Sequence, residues 1–236
     1  MNILVSGADR GLGYGLTNTL LEQGHTVYAG RFLKEWRELE RLQEGYGERL
    51  QLVELDVSDS HSVQRARNVI LKSTDYLDMI ISNAAINGQS DNEQGKQTNY
   101  ELMLHTYNVN SLGSVRLVET FLDLLKKSEL KRLCFVSSEA GSITQAKREE
   151  MFGYCMSKAA LNMYVKLIYN RLHKEGYSFR LYHPGWIRSY MRGHLSEEGI
   201  LSIEEAAALA AGYFLNHDVD ESELILYGYD GERFRF

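Results

Sequence analysis

The chain predicts an α/β fold: one domain on a doubly wound parallel sheet of about seven strands, with helices on both faces. Three observations carry this. Short apolar runs alternate with helix-periodic stretches through the first half, the pattern of successive βα units joined by right-handed crossovers. The first apolar run breaks into a glycine-rich turn that opens a helix. Finally, the 236 residues contain a single Pro, Pro184, and no Gly/Ser-rich linker or internal repeat. That argues for one continuous core over 1–236, with a cofactor half at about 1–130 and a catalytic and substrate half at about 131–236.

Residues 2–6 form the first strand. Gly7, Ala8, Asp9, Arg10, Gly11, Leu12 and Gly13 follow, and a helix runs to about Gln23. A strand, a glycine turn and a helix N-terminus make an anion site, because free N–H groups and the helix dipole favour a phosphate. Gly7 allows the tight turn, Gly11 lets the backbone approach a pyrophosphate, and Gly13 lets helix and strand pack closely. The spacing is Gly-x-x-x-Gly-x-Gly rather than the standard dinucleotide fingerprint. A second strand at 26–29 closes on Gly30 and Arg31. An acidic residue at this place would bond a ribose 2′-hydroxyl, whereas an Arg suits a 2′-phosphate. Arg31 and Arg10 therefore favour NADP(H) over NAD(H); two exposed arginines are the alternative.

A helix at about 33–45 and a strand at 50–55 lead to Asp56 and Val57. Ser58 or Asp59 then caps a helix to about 73. Residues 76–82 form the fourth strand, ending at Asn83, Ala84 and Ala85. The polar, aperiodic run 87–98 reads as a mobile loop. A long helix spans about 100–127, with Asn110 inside it, where an Asn is locally unfavourable and can bend the helix. Residues 133–136 form a buried strand ending at Ser137 and Ser138. Helical periodicity resumes from Phe152 to about 174, which makes Tyr154 and Lys158 i,i+4 neighbours on one face. An ammonium close to a phenol favours the phenolate, and a serine hydroxyl at the strand end can hold a carbonyl oxygen near it. A solvated helix face and a structural Ser-Gly turn explain the same residues in structural terms. After Pro184 and Gly185 the segment 186–200 lacks periodicity until Ser202 caps a helix to about 216. Within it, 190–199 reads as a lid over bound substrate.

Composition narrows the functional classes. The formal net charge is −6 with scattered basic residues, so nucleic acid and anionic membranes have no electrostatic support. No apolar run approaches the roughly 20 residues of a membrane span. Met1 leads directly into a strand with no signal peptide expected, and two cysteines do not make a disulfide framework; both fit a cytoplasmic protein. Cys134 reads as core packing; for Cys155, beside Tyr154, an oxidisable thiol is the minor alternative. No metal site is expected.

Taken together, these residues resemble the short-chain dehydrogenase/reductase family, and in particular its C-factor-like carbonyl reductases, along essentially the whole chain. Gly7, Gly11 and Gly13 match its cofactor turn, with Ser6 for the usual Thr. Asp56 and Val57 match its adenine-side pair. Asn83, Ala84 and Ala85 resemble its Asn-Asn-Ala-Gly stretch. Asn110, Ser138, Tyr154 and Lys158 fall on its catalytic tetrad. Pro184, Gly185, Trp186, Ile187 and Ser189 resemble its Pro-Gly segment, with Ser189 for the common Thr. The wider gap between Ser138 and Tyr154 resembles an insertion at the pocket mouth.

The resemblance implies a Rossmann fold and NADP(H)-dependent interconversion of a small-molecule carbonyl and an alcohol. Ser138 would orient the oxygen and Tyr154 would move the proton. Lys158 would lower the phenol pKa, and Asn110 would hold a relay water. It also implies a homodimer through the helices at about 100–127 and 152–174, whose surplus apolar positions include Leu102, Val109, Leu117, Met163 and Leu167. The competing function is a non-catalytic NADP(H)-binding sensor or scaffold on the same fold.

Overall fold

The computed structural model describes residues 1–87, 97–191 and 195–236. Most of the loop expected at 87–98, and part of the lid expected at 190–199, lie outside the described residues.

Eight strands form a single sheet: β1 (Asn2–Ser6), β2 (Thr26–Arg31), β3 (Leu50–Glu54), β4 (Met79–Ser82), β5 (Arg132–Val136), β6 (Ser178–His183), β7 (Leu226–Gly228) and β8 (Arg233–Phe234). Their spatial order is β3-β2-β1-β4-β5-β6-β7-β8. Neighbours are parallel up to β7, and β8 turns back antiparallel on it. The order reverses between β1 and β4, which opens a crevice at their carboxyl ends, where ligands bind in such sheets. Seven parallel strands were expected; the eighth is a two-residue return at the end of the chain.

Alternation along the strands builds two cores. Leu4, Ile80, Leu133 and Phe135 face α3 (Ser60–Ile70), α5 (Gly113–Leu125) and α6 (Phe152–Leu172), packing on Val63, Phe121 and Leu161. Ile3, Val5, Ile81 and Cys134 face the other way, toward α1 (Gly11–Glu22), α2 (Glu38–Tyr46) and α7 (Ile203–Leu215). Each fully buried Leu, Ile or Phe is worth about 1.5–3 kcal/mol, so both faces have to be covered. Helix starts follow side-chain chemistry. Asp59 caps α3 by accepting from His61 and Ser62 N–H groups, and Ser202 with Glu205 makes a capping box on α7.

Of the boundaries that depart from the sequence expectation, three have a tertiary reason. The helix expected from about 33 begins only at Glu38, because the Asp9 carboxylate takes the N–H groups of Phe32 and Leu33 and holds the chain off the helix. Strand β2 runs on to Arg31 because Gly30 and Arg31 pair with Val53 and Glu54. The long helix is not continuous: α4 (Tyr100–Tyr107) passes into a π-helical turn, Asn108–Leu112, before α5. Of the apolar positions assigned to a dimer face, Leu117 is a core residue, whereas Met163 and Leu167 are exposed.

Candidate active site

Everything proposed for the site sits at the carboxyl edge of the sheet. The turn between β1 and α1 has Gly7 at φ +65°, and a Cβ there would lie 2.8 Å from the Ala84 Cα. A Cβ on Gly13 would lie 2.0 Å from the Gly7 carbonyl oxygen. Neither position admits a side chain. Asn83 welds the turn to the end of β4: its Nδ2 donates to the carbonyls of Ser6 at 2.9 Å and Gly7 at 3.1 Å. The Ser6 hydroxyl accepts from the Asn83 and Ala84 N–H groups. No side chain caps α1, so its first-turn N–H groups point into the crevice as an anion cradle. That cradle fits a dinucleotide pyrophosphate.

Across the crevice, Ser189 stands opposite Gly11, its Cβ 3.6 Å from where a Gly11 Cβ would lie. Pro184, Gly185 and half-exposed Trp186 lead to it from β6. Ile187 bridges to Leu201. Arg10 stacks its guanidinium 5.2 Å over the Trp36 ring and 6.0 Å from the Tyr190 ring. Those two aromatics meet edge-on at 4.7 Å. Arg31 is committed to Glu40, at 2.5 Å. Asp9 is buried and serves the chain after β2; Asp56 accepts from the Ser58 N–H and hydroxyl. Leu12 and Val57 are nearly buried, and Ala84 and Ala85 line the end of β4.

The catalytic candidates converge beyond β5. Ser138 opens a short 3₁₀ turn, Glu139–Gly141, where its hydroxyl accepts from the Ala140 N–H at 3.1 Å and donates to Glu139 Oε2. Tyr154 is in the first turn of α6. The helix is entered through Met151 at φ +64°, a left-handed conformation costly for a non-glycine residue. Lys158, one turn on, is buried, donates from Nζ to the Val136 carbonyl at 2.9 Å, and lies 5.8 Å from the Tyr154 ring centroid. Asn110 sits in the π-helical turn, a feature frequent at functional sites. Its Oδ1 accepts from the Ile86 N–H, while Nδ2 donates to the Ile86 carbonyl and the Ser157 hydroxyl. Both amide protons and one lone pair of Oδ1 are thus used within the protein.

A match to the family model described as short chain dehydrogenase covers residues 1–199. The chain belongs to the short chain dehydrogenase family. Its relatives include mouse estradiol 17-beta-dehydrogenase 2, 30% identical over 194 residues, covering 81% of this chain and 49% of that protein. The chain therefore matches about half the length of that relative. The C-signal of Myxococcus xanthus is 34% identical over 124 residues, covering 51% of this chain and 71% of that protein. Among solved structures, the NADPH-bound carbonyl reductase from chicken fatty liver superposes with a TM-score of 0.86 at 25% identity, covering 100% of this chain and 98% of that one.

Several side chains that hold the candidate tetrad escaped the sequence reading. Asn162 continues the face of Tyr154 and Lys158 by one more turn. It accepts from the Ser137 hydroxyl at 2.6 Å and donates to the Gly141 carbonyl at 3.1 Å. The i, i+4, i+8 spacing was the available signal. Ser157 ties Asn110 to α6, and the Ser111 hydroxyl donates to its carbonyl. Glu139, Arg148 and His183 also gather here: Arg148 pairs with Glu139, and His183 Nδ1 lies 3.5 Å from the same carboxylate.

Burial pushes the Tyr154 phenol up to about 12, while the Ser138 hydrogen bond pulls it down and the Glu139 charge pushes it further up. Burial draws the Lys158 ammonium down to about 8. Lys158 gives one of its three N–H groups to the Val136 carbonyl. Burial raises Glu139, but its bonds with Ser138 and Arg148 win, leaving the carboxyl below its ordinary range. His183 is lowered by burial, against the pull of Glu139 and Asp230.

Proposed function

We propose that this short chain dehydrogenase is an NADP(H)-dependent oxidoreductase that interconverts a carbonyl and an alcohol, with Tyr154 as the acid/base. The observation that carries the reading is the convergence of Ser138, Tyr154 and Lys158 at the carboxyl end of β5, beside the uncapped glycine turn at the reversal of strand order. The turn from Gly7 to Gly13 would hold the pyrophosphate, with Asp56, Val57 and the end of β4 toward the adenine side. Pro184, Gly185, Trp186, Ile187 and Ser189 would line the other end. When bound, the reduced nicotinamide supplies a hydride to the carbonyl carbon. Ser138 orients the carbonyl oxygen, and Tyr154 gives that oxygen the proton. Lys158 contributes a fixed positive charge under the phenol. Bringing a phenol from about 12 to near neutrality takes on the order of 6 kcal/mol of differential stabilisation. The drying and charge of the loaded site have to supply it.

The reading is tested by following NADPH consumption optically over a panel of ketones, quinones, steroids, sugars and acyl thioesters. Turnover of any member supports it; tight NADPH binding with no turnover would instead favour a sensor.

Arg10 and Arg31 are the groups proposed to favour NADP(H). Each charge-assisted phosphate contact is worth about 1.5–3 kcal/mol. Arg31 would have to share its guanidinium with Glu40, and Arg10 would have to leave its aromatic stack. NADPH should exceed NADH in kcat/KM, and Arg10→Ala or Arg31→Ala should each erase most of the difference. Equal kcat/KM for both cofactors in the parent contradicts the assignment.

The homodimer is proposed on the same footing. Tyr100 and Leu104 on α4, and Phe152, Met156, Met163 and Leu167 on α6, are exposed on two helices packed against each other. A two-fold pairing would bury that surface. Light scattering at micromolar concentration should give twice 27.0 kDa; a strictly monomeric mass overturns it.

A further inference from the structure

Three segments of the carboxyl edge meet at a single guanidinium. Arg10 lies in the turn between β1 and α1, Trp36 between β2 and α2, and Tyr190 between β6 and α7. All three residues are partly buried. The Asp9 carboxylate accepts from the Phe32 and Leu33 N–H groups, so the segment carrying Trp36 is tied to the turn carrying Arg10. Tyr190 comes from the opposite wall, directly after Ser189, which faces Gly11. The contact between Trp36 and Tyr190 therefore spans the crevice, and Arg10 is held against both rings.

That contact bears on what Arg10 can bind. A guanidinium is planar, with its five N–H donors around the edge. The Trp36 and Tyr190 rings stand at 70° to each other with centroids 4.7 Å apart, so the guanidinium plane cannot lie parallel to both. Its Cζ is 5.2 Å from the Trp36 centroid and 6.0 Å from that of Tyr190, where the quadrupole of each ring attracts a cation. At least one ring is therefore turned toward the edge that carries the donors. A phosphate bound in bidentate fashion needs that edge. Among the described residues no carboxylate pairs with Arg10, whereas Arg31 is paired with Glu40 at 2.5 Å. The aromatic pair is what an incoming phosphate has to displace.

We propose that Trp36 and Tyr190 are positioning residues that act through Arg10: they hold its guanidinium back from the cofactor's 2′-phosphate and so set how strongly that phosphate is felt. This rests on the NADP(H) reading, in which Arg10 serves the 2′-phosphate. NADP(H) then parts Arg10 from the rings, whereas NAD(H) leaves the clasp as it is. Tyr190 belongs to the segment that leads from Pro184 and Gly185, so the 2′-phosphate is coupled to the wall at the other end of the cofactor. Such coupling is reciprocal.

The test needs no substrate. Adenosine 2′,5′-bisphosphate and 5′-AMP differ only in the 2′-phosphate, and both offer a 5′-phosphate to the glycine turn. Their dissociation constants are measured by isothermal titration calorimetry on wild type, Trp36→Leu, Tyr190→Leu and Arg10→Ala, with folding checked by circular dichroism. The quantity read is the preference for the bisphosphate over 5′-AMP. Freeing Arg10 should raise that preference about three- to fivefold in Trp36→Leu, the size of one partly exposed cation–π contact, and in the same direction in Tyr190→Leu. Arg10→Ala should collapse it, and adding Trp36→Leu to Arg10→Ala should change it no further. A role confined to packing, or to covering the adenosine, moves both ligands alike, so an unchanged preference in the aromatic variants overturns the proposal. A lower preference overturns it too, because the rings would then be presenting Arg10 to the phosphate. If Trp36→Leu does not fold, Tyr190→Leu decides by the same criteria. A parent that binds both ligands equally refutes the 2′-phosphate assignment itself and takes the proposal with it, before any variant is compared. Absence of turnover over the carbonyl panel would overturn the catalytic reading alone, and it leaves these affinities measurable.

Discussion

Tyr154→Phe should lower turnover by at least about 10²-fold while leaving NADP(H) affinity nearly unchanged, since general acid catalysis by one placed group contributes about 10²–10⁴. The substitution is clean in this structure. The ring keeps its packing in the first turn of α6, and Ser157 bonds the Tyr154 backbone carbonyl, at 2.7 Å, not its hydroxyl. The Asn110 and Ser157 brace therefore survives. What disappears is the proton source. A loss in kcat and kcat/KM of similar size, with cofactor binding retained by fluorescence titration, is the signature of an interaction made in the transition state. Unchanged turnover would remove Tyr154 from the mechanism.

The βα order, the glycine turn and the sharing of one helix face by Tyr154 and Lys158 were legible because they depend on local chemistry. Strand alternation, turn glycines and i,i+4 spacing all lie within a few residues of chain. What the sequence hid is tertiary. The delayed start of α2 follows from the Asp9 carboxylate, which lies on another turn. The π-helical turn at Asn110 is fixed by Ile86 and Ser157, from a different loop and helix. Glu139, Arg148 and His183 meet only in three dimensions, and their gathering has no periodicity to read. Likewise Arg180, fully buried on β6 and paired with Glu221, looks in the sequence like any charge in an apolar run.

Lys158 offers the second large effect, and its sign runs against intuition. Burial holds its folded pKa at about 8, below the ordinary 10.5, a difference worth about 3 kcal/mol. A depressed pKa costs stability in full below the folded value and costs none above the unfolded one. The native state is thus penalised at pH 7 and relieved as pH rises from about 8 to 10.5. Lys158→Met removes the titrating group, at the expense of the bond to the Val136 carbonyl, a loss of about 1–3 kcal/mol. At pH 7 the variant should be as stable as the parent or more so, while turnover collapses. The sharper readout is the difference in unfolding free energy between the two proteins, measured in denaturant from pH 7 to 11. Groups titrating alike in both cancel, and the variant's relative stability should decline by about 3 kcal/mol across the window. A flat difference would mean that Lys158 keeps its ordinary pKa despite burial. The positive charge beneath Tyr154 would then carry no stability penalty for this protein to bear in exchange for catalysis.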